Sequence, residues 1–299
     1  MALIPFNELM AAAEQGQYAV GYFESWNLES LLAVADAAEA VRSPVILGFS
    51  GIYLPHPERI VNDPPGAYAV LGLNVCRQIS VPACLLFNES PYFDRVLAAI
   101  DLGYNLVMFS DDTLDVGEQV RQVRQVVLKA HQAAVAVEGE VAALAGVAGE
   151  LSTLPGDLRL THPEQARAFV EQTGVDALAV NVGQVHLHGR QAVRLNLERL
   201  AALQEAVSVP LVLHGATSIH RADLEAAVRL GVRKINVGSL LKRTYFEAMR
   251  RACSTVGDAY NPYEVIGSGL ANDVLAQGRL AMQQTVEELM CLFGSAGRI

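Results

Sequence analysis

Two strand-like runs end in histidine and a third in asparagine. Residues 179–186 close on His186, 209–214 on His214, and 234–236 on Asn236. Short apolar, β-branched runs read as buried strands of a parallel sheet. A polar residue where such a run stops lies at the sheet's C-terminal edge, where α/β barrels place their chemistry. Neutral imidazole is a common ligand for borderline divalent ions. His186 and His214, arriving from separate strands, therefore imply a metal site.

A barrel has to position them. Strand-like runs cover 18–23, 45–49, 83–87, 106–109, 134–137, 177–182, 211–213 and 234–237. Helical patterns separate them at 28–41, 92–102, 116–133, 163–173, 195–206 and 221–230. Eight strands alternating with helices predict a (β/α)8 TIM barrel, with 1–299 as a single domain. An open doubly wound sheet is the alternative, but no Gly-x-Gly-x-x-Gly follows the first strand. Residues 51–65 and 144–160 are non-periodic and follow strands, so both are expected as long loops on the active face. Helical patterns continue at 240–253 and 264–293. The extension 255–299 exceeds what a barrel needs and is expected to serve oligomerisation, in a homodimer or homotetramer.

Composition narrows the partners. The 299 residues are 52% hydrophobic, and 32 acids against 22 bases leave a net charge of −10. That balance argues against nucleic acid, whose phosphates require basic stripes. No apolar run reaches the roughly 20 residues needed to cross a bilayer, and the N-terminus has neither the basic start nor the apolar stretch of a signal peptide. The four cysteines are scattered without a C-x-x-C pair, which suits reduced thiols in the cytoplasm.

Several segments resemble the class II, metal-dependent fructose- and tagatose-bisphosphate aldolases. Val209-Pro-Leu-Val-Leu-His-Gly-Ala-Thr-Ser218 is similar to the family's V-P-L-V-L-H-G-G-S-G, and Val232-Arg-Lys-Ile-Asn-Val-Gly-Ser239 to V-x-K-I-N-[IV]-D-T. The run 161–180 matches T-x-P-E-x-A-x-x-F-x-x-x-T-G-x-D-x-L-A-V, and 43–47 and 137–141 also fit. The similarity extends from about residue 5 to about residue 250.

The resemblance implies a divalent cation, zinc by family habit. The family's ligands align with His186, His214 and Glu89, which replaces a histidine; Glu140 matches a further or alternate ligand. A carboxylate among the ligands is harder than imidazole and opens the site to manganese, iron or magnesium. The family's acid–base aspartate aligns with Asn88, an amide that hydrogen-bonds but takes up no proton. Its loop glutamate aligns with Ala148, leaving Glu150 as the nearest substitute. Glu24, where the family usually has asparagine, and Asp111, after the fourth strand, are further catalytic candidates.

Phosphate recognition needs backbone N–H groups, small residues and hydroxyls after strands seven and eight. Gly215, Ala216, Thr217, Asn236, Gly238 and Ser239 stand there, with Arg190 aligned to a family lysine and Ser50 ending the second strand. In the family an aspartate that touches substrate stands where this chain has Gly238. The expected activity is an aldol-type lyase acting on a phosphorylated ketose or hydroxy-ketone phosphate through a metal-stabilised enediolate, with cleavage of fructose 1,6-bisphosphate itself doubtful. An isomerase using the same enediolate and a non-catalytic sugar-phosphate-binding subunit are the alternatives.

Overall fold

The apolar runs pair in chain order into a closed parallel barrel: β1 (Val20–Phe23), β2 (Val45–Ser50), β3 (Ala83–Ser90), β4 (Leu106–Phe109), β5 (Ala136–Glu140), β6 (Ala177–Ala179), β7 (Leu211–Leu213) and β8 (Val232–Val237). The computed structural model describes residues 2–141, 144, 159–185 and 192–299. Helices α2 (Leu28–Ala40), α3 (Pro65–Gln78), α4 (Phe93–Asp101), α5 (Val116–Gln132), α6 (Pro163–Thr173), α7 (Leu197–Ala206) and α8 (Arg221–Arg229) fall between successive strands, giving a (β/α)8 TIM barrel.

Strand side chains alternate between faces. One set fills the barrel with Val20, Tyr22, Ile46, Leu86, Met108 and Val212, among others. The other set, including Phe23, Leu47, Leu85 and Val107, packs beneath the helices. Helix α1 (Phe6–Gly16), which the periodicity reading does not anticipate, adds Phe6, Leu9, Met10 and Ala13 to the interior cluster. Its entry segment bonds Ala83 at the start of β3, so α1 packs at the N-terminal end of the barrel.

Among the boundaries that differ from the sequence reading, three have a clear local reason. β5 starts at Ala136 because Ala134, at φ 55°, still belongs to the turn that ends α5. β6 stops at Ala179, since the Gln184 side chain takes over nearby backbone groups, accepting from Val182 N at 2.9 Å and donating to Val180 O at 2.6 Å. The helix expected over 264–293 is broken into α10 (Pro262–Val265) and α11 (Val274–Leu292). Gly267 and Gly269 adopt positive φ, and Asp273 then caps α11 by accepting from Leu275 N.

α11 packs on α2 and on α9 (Ser239–Ser254), with Met282, Val286 and Met290 fully buried. Phe293 stacks on Phe23 of β1 at 6.3 Å between ring centroids. Much of the C-terminal extension is therefore wall of its own barrel. Among the described residues, no helix is long and apolar enough to cross a membrane. All four cysteines are free.

Candidate active site at the C-terminal rim

Climbing each strand in steps of two, the interior turns polar at the C-terminal end. Tyr22 leads to Glu24, Leu86 to Asn88, Met108 to Ser110, Glu138 to Glu140 and Val212 to His214. On β8, Lys234 leads to Asn236 and then Gly238, and on β2, Ile46 leads through Gly48 to Ser50.

Glu89 departs from this alternation, which would turn it away from Asn88. β3 carries a register shift against β4 between Phe87 and Ser90, and Glu89 sits at φ 49°. The bulge re-aims it inward. Its Oε2 accepts from Asn88 Nδ2 at 2.9 Å. A non-glycine residue in this conformation costs roughly 1–3 kcal/mol, a strain characteristic of functional positions.

His214 is the hub. It is buried, with Nε2 2.7 Å from Glu138 Oε1 and Nδ1 3.1 Å from Glu89 Oε1. Glu138 is wholly buried and pairs through Oε2 with Lys234 Nζ at 2.7 Å. Lys234 also donates to Asn236 Oδ1, which turns the Asn236 amide nitrogen toward His214 Nε2 at 2.9 Å and Asn88 Oδ1 at 3.4 Å.

The charges follow from this packing. Burial pushes the Glu138 carboxyl up, but the Lys234 ammonium and His214 outweigh it and hold Glu138 below the usual carboxylate range. Burial opposes the His214 imidazolium, yet the Glu89 and Glu138 carboxylates raise the ring to about 10. Glu140 is raised to about 7 by burial and by the Glu89 charge, although Ser110 Oγ donates to it.

The other expected residues divide. Thr217 Oγ1 accepts from Ser239 Oγ at 3.1 Å and from Leu240 N at 3.2 Å, joining the β7 and β8 loops. Gly215, at φ 64°, starts a single 3-10 turn over Ala216–Ser218, and Gly238 stands at the N-cap of α9 with no side chain of its own to cap it. Ser50 Oγ accepts from Ile52 N and Tyr53 N, so it organises the loop after β2. Asp111 is not brought to the cluster: its Oδ1 closes its own turn on Thr113 N and Oγ1, at 3.0 and 2.6 Å. Glu24 pairs with Lys242 of α9. His186, Arg190 and Glu150 lie outside the described residues, as does Ala148. Glu138, Lys234 and Lys242 are absent from the sequence-derived candidates. The signal for the first two was present: each lies two residues below a chosen residue on the same inward face.

Among the described residues, no three of His, Cys, Asp and Glu form a ready-made ligand group. The pair at the hub nevertheless suits a divalent cation. His214 Nδ1 is buried and faces the Glu89 carboxylate at 3.1 Å, while Glu138 holds the opposite nitrogen. A histidine fixed from behind by a carboxylate presents its other nitrogen as a ligand. Glu140 beside Glu89 adds negative charge that a cation relieves.

Residues 4–298 match the family described as fructose-bisphosphate aldolase class-II. The chain belongs to the class-II fructose-bisphosphate aldolase family. It is 33% identical over 302 residues to a fructose-bisphosphate aldolase of Geobacillus stearothermophilus, covering 100% of this chain and 99% of that one. A fructose-bisphosphate aldolase of Thermus caldophilus is 30% identical over 314 residues, covering 97% and 98%. Among solved structures, the YdjI aldolase of Escherichia coli K12 superposes with a TM-score of 0.79 at 28% identity over 99% of both chains. A putative fructose-1,6-biphosphate aldolase of Coccidioides immitis gives 0.81 at 26% identity, over 97% and 96%. This class-II aldolase is thus an aldolase-type lyase, in a family that generally depends on a divalent metal and acts on sugar phosphates. Nothing favours the isomerase or non-catalytic alternatives.

Proposed function

We propose that the protein makes or breaks a carbon–carbon bond in a phosphorylated ketose or related hydroxy-ketone phosphate, with dihydroxyacetone phosphate as the ketone half. The observation that carries this is His214, held from behind by Glu138 and facing Glu89 across 3.1 Å. Glu89, His214 and Glu140, with His186, are the residues that would hold a divalent ion, zinc in the first instance and manganese, iron or magnesium through the carboxylates. Such an ion polarises a ketone carbonyl as a Lewis acid.

The chain's own residues do the rest. The N-terminus of α9, where Ser239 N is the leading N–H group, with the hydroxyls of Thr217 and Ser239 and the backbone of Gly215 and Ala216, suits a phosphate; we assign Arg190 as its counter-charge. Asn236 and Asn88, locked to each other and to Glu89, orient hydroxyls without exchanging protons. We assign the carbon-bound proton to Glu150, the acid nearest the family's loop position.

We also propose self-association through the outer face of α9 and the 255–273 segment. Phe246, Tyr260, Tyr263 and Ile266 are exposed on these segments, and Tyr260 lines a groove of about 740 Å³ between α9 and α11. Four free thiols suit a cytoplasmic setting.

The test is proton exchange. Metal-loaded protein in D2O should replace one carbon-bound hydrogen of dihydroxyacetone phosphate with deuterium, visible by proton NMR. Chelation or His214→Asn should abolish the exchange. No exchange in freshly loaded protein would refute the proposal.

A further inference from the structure

Glu24 and Gly238 fit one another across the seam between β1 and β8. The two strands pair in register from Val20–Lys234 to Phe23–Val237, and Glu24 N donates to Val237 O at 3.0 Å, so the next residues are neighbours on the rim. Gly238 has φ −128°, outside the left-handed region that favours glycine. A side chain there would meet the Glu24 carboxylate and displace it. A Cβ on residue 238 would stand 2.9 Å from Glu24 Oε2 and 3.5 Å from its Cδ. The glycine makes room for a carboxylate.

Oε1 of the same carboxylate pairs with Lys242 Nζ, from the start of α9. That ammonium lies over the rings of Tyr53 at 4.9 Å and Trp26 at 5.7 Å. Glu24 is 14% exposed and Lys242 40%. The pair is open to a ligand, unlike the wholly buried Glu138–Lys234 pair one layer down.

Position decides what that ligand is, and the step rests on the reading of the rim given above. A ketone half with its phosphate at the ends of β7 and β8 and its carbonyl toward Glu89 and His214 leaves the β1–β2 arc for the rest of the substrate. Across the mouth, Ser110 and Glu140 already engage each other. We propose that Glu24 and Lys242 are the specificity-determining pair for a hydroxylated aldehyde, Glu24, seated against Gly238, accepting from its hydroxyls and Lys242 donating to its farther oxygens. A site built to hydrogen-bond a hydroxyl discriminates strongly against substrates that lack it, because its polar groups are then left unpaired.

The experiment compares wild type, Glu24→Gln, Lys242→Met, Gly238→Ala and Glu24→Ala/Gly238→Ala, all metal-loaded. Two quantities are measured: deuterium exchange on dihydroxyacetone phosphate, and kcat/KM for its addition to glyceraldehyde and to propanal. For Glu24→Gln and Lys242→Met, the loss on glyceraldehyde should exceed the losses on propanal and on exchange by about tenfold or more. Gly238→Ala should show the same pattern, and its effect should shrink once Glu24 is alanine. Equal losses on both aldehydes would overturn the pair's role while leaving the proposed reaction standing. Absence of exchange in wild type would overturn the reaction, and this inference with it.

Discussion

Replacing Lys234 with methionine should unfold the inner layer of the site. Lys234 and Glu138 are both wholly buried and 2.7 Å apart. Removing the ammonium leaves Glu138 in a sealed interior with only the His214 ring against it. Breaking a buried pair from one side costs about 3–5 kcal/mol, because the surviving charge stays desolvated. Removing both charges together is far milder, so Lys234→Met/Glu138→Gln should recover most of that loss. Urea unfolding of metal-free protein at pH 7, followed by circular dichroism, gives the midpoints and slopes. A second readout separates architecture from site chemistry. Lys234 also orients Asn236 against His214, and groups that orient a ligand typically matter 10–100-fold for metal affinity, roughly the weakening expected for Lys234→Met. The reasoning fails if Lys234→Met costs less than about 1 kcal/mol, or if the double variant is no more stable than the single one.

Other outcomes follow from the same geometry. Glu140, raised from 4.5 to about 7, holds its proton more tightly when folded. That stabilisation is full below the unfolded value and disappears as pH climbs through about 7. Metal-free wild type should therefore lose about 2–3 kcal/mol more between pH 5 and pH 8 than Glu140→Gln does; parallel curves for the two proteins would exclude the effect. Phe6→Ala should cost about 3–5 kcal/mol, since its side chain, 1% exposed, belongs to the interior cluster; a change in unfolding midpoint equivalent to less than about 1 kcal/mol would show that α1 is only loosely attached. A Phe246→Glu/Tyr263→Ser variant should elute and scatter light as a smaller species than wild type. Identical masses would place any self-association elsewhere.

The barrel was legible because every strand carries an apolar run and every rim residue follows one. His214, Asn236, Thr217 and Ser239 could all be placed from strand ends alone. Glu89 is a different case. Strict alternation puts Asn88 and Glu89 on opposite faces, and only a bulge with φ 49° brings both to the rim. Local sequence does not announce such a bulge. Glu138 and Lys234 were readable in principle, at a spacing of two from Glu140 and Asn236, but a search for chemistry at strand ends stops one layer too high. Asp111 looked like a rim acid, yet its neighbour Thr113 offers two donors at close range, and a local turn wins over a reach into the barrel. The break between α10 and α11 depends on Gly267, Gly269 and the Asp273 cap, which helical periodicity overlooks.

The cation at the hub can be tested directly by anomalous diffraction at the manganese edge from manganese-soaked crystals. The expected result is a single peak at the rim bonded to a Glu89 carboxylate oxygen and to His214 Nδ1, with Glu138 still on Nε2. A peak elsewhere, or no peak with Glu89 and His214 still facing each other directly, would contradict the account.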